Sequence, residues 1–164
     1  MTPFPTTSGR KDESASADAE LARQLADLEA CLGTPLVPGE LVTWFENAAA
    51  LLGTLQPLVR RRATDGHLAK FAQIVREDPA LQRSVERLGA EDEALGRTLY
   101  ALKTRADRFA AKAAAIEPDE ALMTQEWTRF VDEGLWFVVG LRKQETAIRT
   151  WLGEAQNRVR GAGD

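Results

Sequence analysis

The sequence predicts an all-α fold, an antiparallel four-helix bundle with an additional short N-terminal helix, and three observations carry that prediction. Ala 26 and Leu 20 stand against Val 9 and Ile 3, a balance that favours helix because unbranched side chains lose little rotamer freedom there. Apolar residues recur at steps of three and four over long stretches. Prolines fall between those stretches rather than inside them, with Pro57 the main exception.

The chain of 164 residues suits one domain, placed at 18–160 behind a disordered tail at 1–17, whose Thr, Ser and Pro bury too little surface to offset ordering entropy. Leu21, Leu25, Leu28 and Leu32 mark a first helix from Asp18, stopped by Gly33, Pro35 and Pro38. A second runs from about Glu40 to Arg62, with Leu41, Phe45, Ala48, Leu52, Leu55 and Val59 in one stripe and Trp44, Leu51 and Leu58 widening it. Pro57 should bend it or restart it, because its ring presses on the carbonyl of Gly53. A short third piece, about Asp65 to Glu77, carries Leu68, Phe71, Ile74 and Val75 on its inner side.

Asp78-Pro79 is a helix opening: the aspartate can cap free amides, and proline fits a first turn. The seam that follows, from Leu81 through Val85, Leu88, Asp92, Leu95, Leu99, Leu102, Ala106, Phe109 and Ala113 to Ile116, has the seven-residue repeat of a helix facing packed neighbours. Glu117-Pro118-Asp119 ends it and opens the last helix, about Asp119 to Arg158, with Trp127, Phe130, Gly134, Phe137, Leu141, Gln144, Ile148, Trp151 and Ala155 inward.

A net charge of -4 disfavours a nucleic-acid grip, and no run approaches the roughly 20 apolar residues of a membrane span. One cysteine closes no internal disulfide, and one histidine with one cysteine makes no zinc site of the usual spacing, so a cytoplasmic location is expected.

Four residues and two runs stand out against this background. Asp92 is a carboxylate on a core seam, so it must be paired, protonated, metal-bound or at a cavity mouth. Arg87 and Arg97 are poorly spaced to meet it on one helix, so an inter-helix partner is expected. Gln144 with Glu145 forms a polar pair at a similar place, where fixing register is the plainer role and lining a pocket the sharper one. His67 beside Phe71 and Ile74 reads as a hydrogen-bonded packing residue ahead of a ligand. Arg60-Arg61-Arg62 reads as a helix-end cap favouring the dipole rather than an anion site. Leu135, Trp136 and Val139 belong to a run apolar around the whole helix, so some of it faces the N-terminal helix or a second subunit.

One stretch also carries a resemblance. Glu86-Arg87-Leu88-Gly89-Ala90-Glu91-Asp92-Glu93-Ala94-Leu95 resembles the third helix of hemerythrin-like cation-binding domains, where E-R-L-x-x-E-H-E-x-L turns a metal-binding histidine inward. Asp92 holds that histidine's slot. Gly140 and Gln144 hold the slots of the fourth-helix H-x-x-x-E, Phe71 a carboxylate slot after His67, and Asn47 a histidine slot after Glu46. The resemblance spans about Leu41 to Ala155 and implies a four-helix bundle; family members use a di-iron centre to bind oxygen or to sense oxygen, iron or nitric oxide. With nearly every ligand slot substituted, it implies a degenerate member without metal.

The resulting expectation is a non-catalytic, cofactor-free bundle that binds a protein partner or a second copy of itself through Leu135, Trp136 and Val139. The alternative is a sensor with a small-molecule, metal or haem pocket using His67, Asp92, Gln144 and Glu145. An enzyme with Asp92 and Glu145 as acid and base is a third reading, with no nucleophile, phosphate loop or cofactor motif to accompany them.

Overall fold

The structure is a computed structural model that describes residues 8–37, 39–114 and 120–161. Among them every regular element is helical: α1 (Ser8–Gly33), α2 (Leu41–Arg61), α3 (Leu68–Glu77), α4 (Gln82–Ala113) and α5 (Glu120–Gly161). No helix among them is long and apolar enough to cross a membrane.

α1 starts at Ser8, ten residues before the expected Asp18. The stretch behind Pro5 is free of proline and holds Glu13, Ala15, Ala17 and Ala19, good helix formers that sustain a helix even where few apolar groups are buried. The rest of the expected tail, residues 1–7, lies outside the described residues. α1 stops at Gly33 as expected, and Gly39, with φ of 86°, makes the turn into α2. Asp78 caps as expected, its Oδ1 accepting from the Ala80 amide at 3.1 Å, and Pro79–Leu81 forms a 3₁₀ turn before α4. The expected break over Glu117-Pro118-Asp119 lies outside the described residues.

The expected break between the second and third helical pieces does not occur. α2 continues through Pro57, and Arg62–His67 forms a π turn that leads straight into α3, one helical run over residues 41–77. Local chemistry favours the wider turn. Thr64 and Gly66 are weak helix formers, and the Thr64 hydroxyl donates to the Arg60 carbonyl at 3.1 Å, a bond that loosens the ordinary ladder.

The rod changes partner at this turn. α2 packs chiefly on α4 and then on α1, whereas α3 reaches α5 more than it does α4. Two apolar cores result. The larger joins α1, α2, α4 and α5 and includes Trp44, Phe45, Phe109 and Phe130 in edge-to-face and tilted contacts at 5.1–6.5 Å. The smaller joins Phe71 and Ile74 of α3 to Val85, Leu88 and Ile148. Arg142 ties α5 to Glu29 of α1 through two bonds of 3.1 and 2.6 Å.

Along the α5 seam, Phe130, Gly134, Phe137, Leu141, Gln144, Ile148 and Ala155 are buried as expected. Leu68 is a correction: expected inward, it is 63 % exposed, because the π turn gives the inward position to His67.

Phe130→Ala should therefore lower stability by about 3–5 kcal/mol and Leu68→Ala by under about 0.5 kcal/mol, read as urea midpoints at unchanged slope.

Candidate functional site: a buried polar layer

Between the two cores lies a layer built from three helical segments. Arg62 and His67 lie five positions apart, which in an α-helix would set them about 140° apart. The π turn, with about 4.4 residues per turn, reduces this to roughly 50°, so both side chains face inward. Arg62 is buried and His67 fully so. Across from them, α4 supplies Asp92 and α5 supplies Gln144 and Glu145.

His67 Nδ1 bonds to Asp92 Oδ2 at 2.6 Å, and Nε2 faces Glu145 Oε2 at 3.8 Å, an ion-pair distance rather than a hydrogen bond. Arg62 Nη2 donates to Gln144 Oε1 and lies 3.7 Å from Asp92 Oδ1. Gln144 Nε2 donates in turn to the Leu88 carbonyl at 3.0 Å. The ring of Phe71 lies 5.4 Å from that of His67.

The layer balances its charges. Burial works against a proton on His67, but the bond to Asp92 and the nearness of Glu145 outweigh it, so the imidazolium is favoured above the ordinary histidine range. His67 in turn holds Glu145 down at about 2. Burial lowers Arg62, with Asp92 and then Glu145 pulling the other way. Two cations thus face two carboxylates, which is how ionised groups persist in a desolvated place.

The four polar residues singled out by sequence, His67, Asp92, Gln144 and Glu145, are brought together. Asp92 finds its partners on another helix, as expected. Arg62 was missed: the basic run read as a cap, yet its last member is the centre of the layer. The signal available was the weak helix chemistry of Thr64 and Gly66 between two inward-capable polar residues. Glu46 and Asn47 are exposed and take no part, and Gly140 meets Leu95 instead.

This donor set does not fit a di-iron centre. The two carboxylates sit on opposite nitrogens of one imidazole, and a guanidinium stands among them. No three His, Cys, Asp or Glu side chains among the described residues converge as metal ligands.

On α5, Trp136 is 72 % exposed and Val139 is exposed, while Leu135 is half-buried against the larger core. α1 approaches α5 at Gly134, where Leu32 packs, and leaves Trp136 uncovered. Comparison with family models, curated proteins and solved structures finds no match.

Asp92→Ala removes the nearest carboxylate from two buried cations at once and should cost about 3–5 kcal/mol in denaturant unfolding. The pH response follows from the two shifts. Glu145, held below its ordinary 4.5, stabilises above about pH 4.5 and loses that contribution as pH falls towards 2. His67, raised above 6.5, stabilises below that value and loses its contribution as pH climbs through its folded value. Stability should be greatest between those limits, and His67→Gln should flatten the decline on the alkaline side.

Proposed function

We propose that this chain is a non-catalytic, metal-free helical bundle that binds a protein partner or a second copy of itself through Trp136, Leu135 and Val139. The observation that carries this reading is the indole of Trp136, left 72 % exposed beside Val139 on a helix whose opposite side is fully packed. Trp joins a large apolar area to low ordering cost, which makes it an anchor of protein interfaces. The polar layer supports the non-catalytic part: each of its charged groups already faces a counter-ion, and the imidazole of His67 is fully buried.

An antiparallel arrangement of α2 and α4 is part of the proposal. Gly53 lies near Lys103 while His67 meets Asp92, so residue numbers rise on one helix as they fall on the other. Kinship with hemerythrin-like domains is also proposed, resting on the E-R-L-x-x-E-D-E-x-L stretch and on Asp92, Gln144 and His67 meeting between the helices. In that reading Arg62 stands where metal once did. A cytoplasmic location agrees with the lone, half-buried Cys31.

Light scattering tests the α5 face. Wild type should exceed the 18.0 kDa of one chain and Trp136→Ala should not. A single-chain mass for both, with equal denaturation midpoints, removes self-association through this face.

A second reading, a small-molecule sensor, draws on a cavity of about 480 Å³ between α4 and α5, bordered by Gln144, Gly140 and Trp151. Its haem form meets an obstacle, since the single imidazole of the chain is enclosed. Thermal melting with added iron or haem decides: an unchanged midpoint and purely aromatic absorption count against it.

A further inference from the structure

The change of partner at the π turn leaves a long opening on another face. Between the run α2–π turn–α3 and α4 lies a cavity of about 1000 Å³, reaching from Gln56 to Phe71 on one wall and from Glu86 to Tyr100 on the other. Fourteen residue steps of α4 correspond to about 21 Å, so the cavity is a trough with two parallel helical rails rather than a compact hollow. Leu68 on one wall and Tyr100 on the other are 63 % and 67 % exposed.

The α4 wall is scooped out by small residues. Gly89 and Gly96, two turns apart, line the trough, and a Cβ built on either meets nothing within 4 Å. Among the described residues, no other backbone approaches either glycine. Each is a poorer helix former than alanine, and what it leaves is room for a neighbouring rod. The rim is charged in a pattern: Glu86 and Glu93, also two turns apart, are exposed on the α4 side, with Arg60 exposed opposite. Glu93 leans on Arg97 at 3.6 Å, but both side chains are more than 70 % exposed, so the pair holds it only weakly.

We infer that this trough docks an amphipathic α-helix of about 14 residues from a protein partner, with apolar side chains on its inner face and basic ones two turns apart facing Glu86 and Glu93. The rails set the length, the glycines leave room for the apolar ridge, and the two glutamates orient it. This surface is independent of the Trp136 face.

The probe is a fluorescein-labelled alanine-based peptide of about 14 residues, with leucines at i, i+3, i+7 and i+10 and two lysines seven apart on one flank. Its control carries glutamates for the lysines. Anisotropy titrations should show the basic peptide binding at micromolar concentration and the acidic one at least about tenfold more weakly. Gly89→Leu and Gly96→Leu fill the trough without meeting a neighbour at the new Cβ, so they should keep or raise the denaturation midpoint, leucine being the better helix former, and weaken binding by about tenfold or more. The paired exposed changes Glu86→Lys and Glu93→Lys should preserve the fold and reverse the preference between peptides. Trp136→Ala should leave binding unchanged.

The inference is overturned by no binding of the basic peptide at about 0.1 mM, by equal binding of both peptides, or by binding indifferent to both glycine variants. Two other occupants also overturn it. One is decanoate or anilinonaphthalene sulfonate bound in a way Gly96→Leu abolishes while the peptide fails to bind. The other is a dimer that Gly96→Leu converts to monomer.

Discussion

A guanidinium and an imidazole are held in the interior of this molecule, and their charges must be answered there. Arg62 and His67 come from one helical run, Asp92 from a second and Gln144 with Glu145 from a third, so the compensation ties three segments at a fixed depth. An apolar seam tolerates sliding by a turn, because one leucine replaces another at modest cost. A charged layer does not, since a slip of one turn leaves cations facing hydrocarbon. Register between the helices is therefore carried by the polar minority, while the two apolar cores on either side supply most of the burial.

The π turn is the local device that makes this possible. Widening one turn brings residues five apart onto one face, and the same change of phase sends α3 away from α4 towards α5. A regular helix through 62–67 would put either Arg62 or His67 inward, not both. The inward aim of Arg62 and that of His67 thus have one structural origin.

The seams of α4 and α5 were legible because period is local information: steps of three and four between Val85 and Phe109, and between Phe130 and Ala155, survive folding almost unchanged. The polar quartet was legible for a similar reason, since a carboxylate, an amide and an imidazole on apolar stripes are conspicuous. What the sequence concealed was phase. Thr64 and Gly66 looked like the end of one helix and the start of another, and a six-residue change of helical pitch is invisible to a reading that assumes one pitch. Arg62 was concealed with it, because its inward aim exists only once that pitch is known. The start of α1 was hidden differently, by a serine- and alanine-rich stretch whose helix depends on propensity rather than on an apolar stripe.

The same constraint bears on what the molecule can do. A layer that neutralises itself, with each ring nitrogen of His67 facing a carboxylate, has little chemistry to offer a substrate, and its groups are committed to one another. The proposed function lies outward, at places where the packing is incomplete: the exposed indole of Trp136 on α5 and the trough between α4 and the run that faces it. The second is coupled to the layer by construction: the turn that aims Arg62 and His67 at Asp92 is the turn that parts α3 from α4. Asp92 borders that trough and bonds His67 within the layer, so the two features share one side chain.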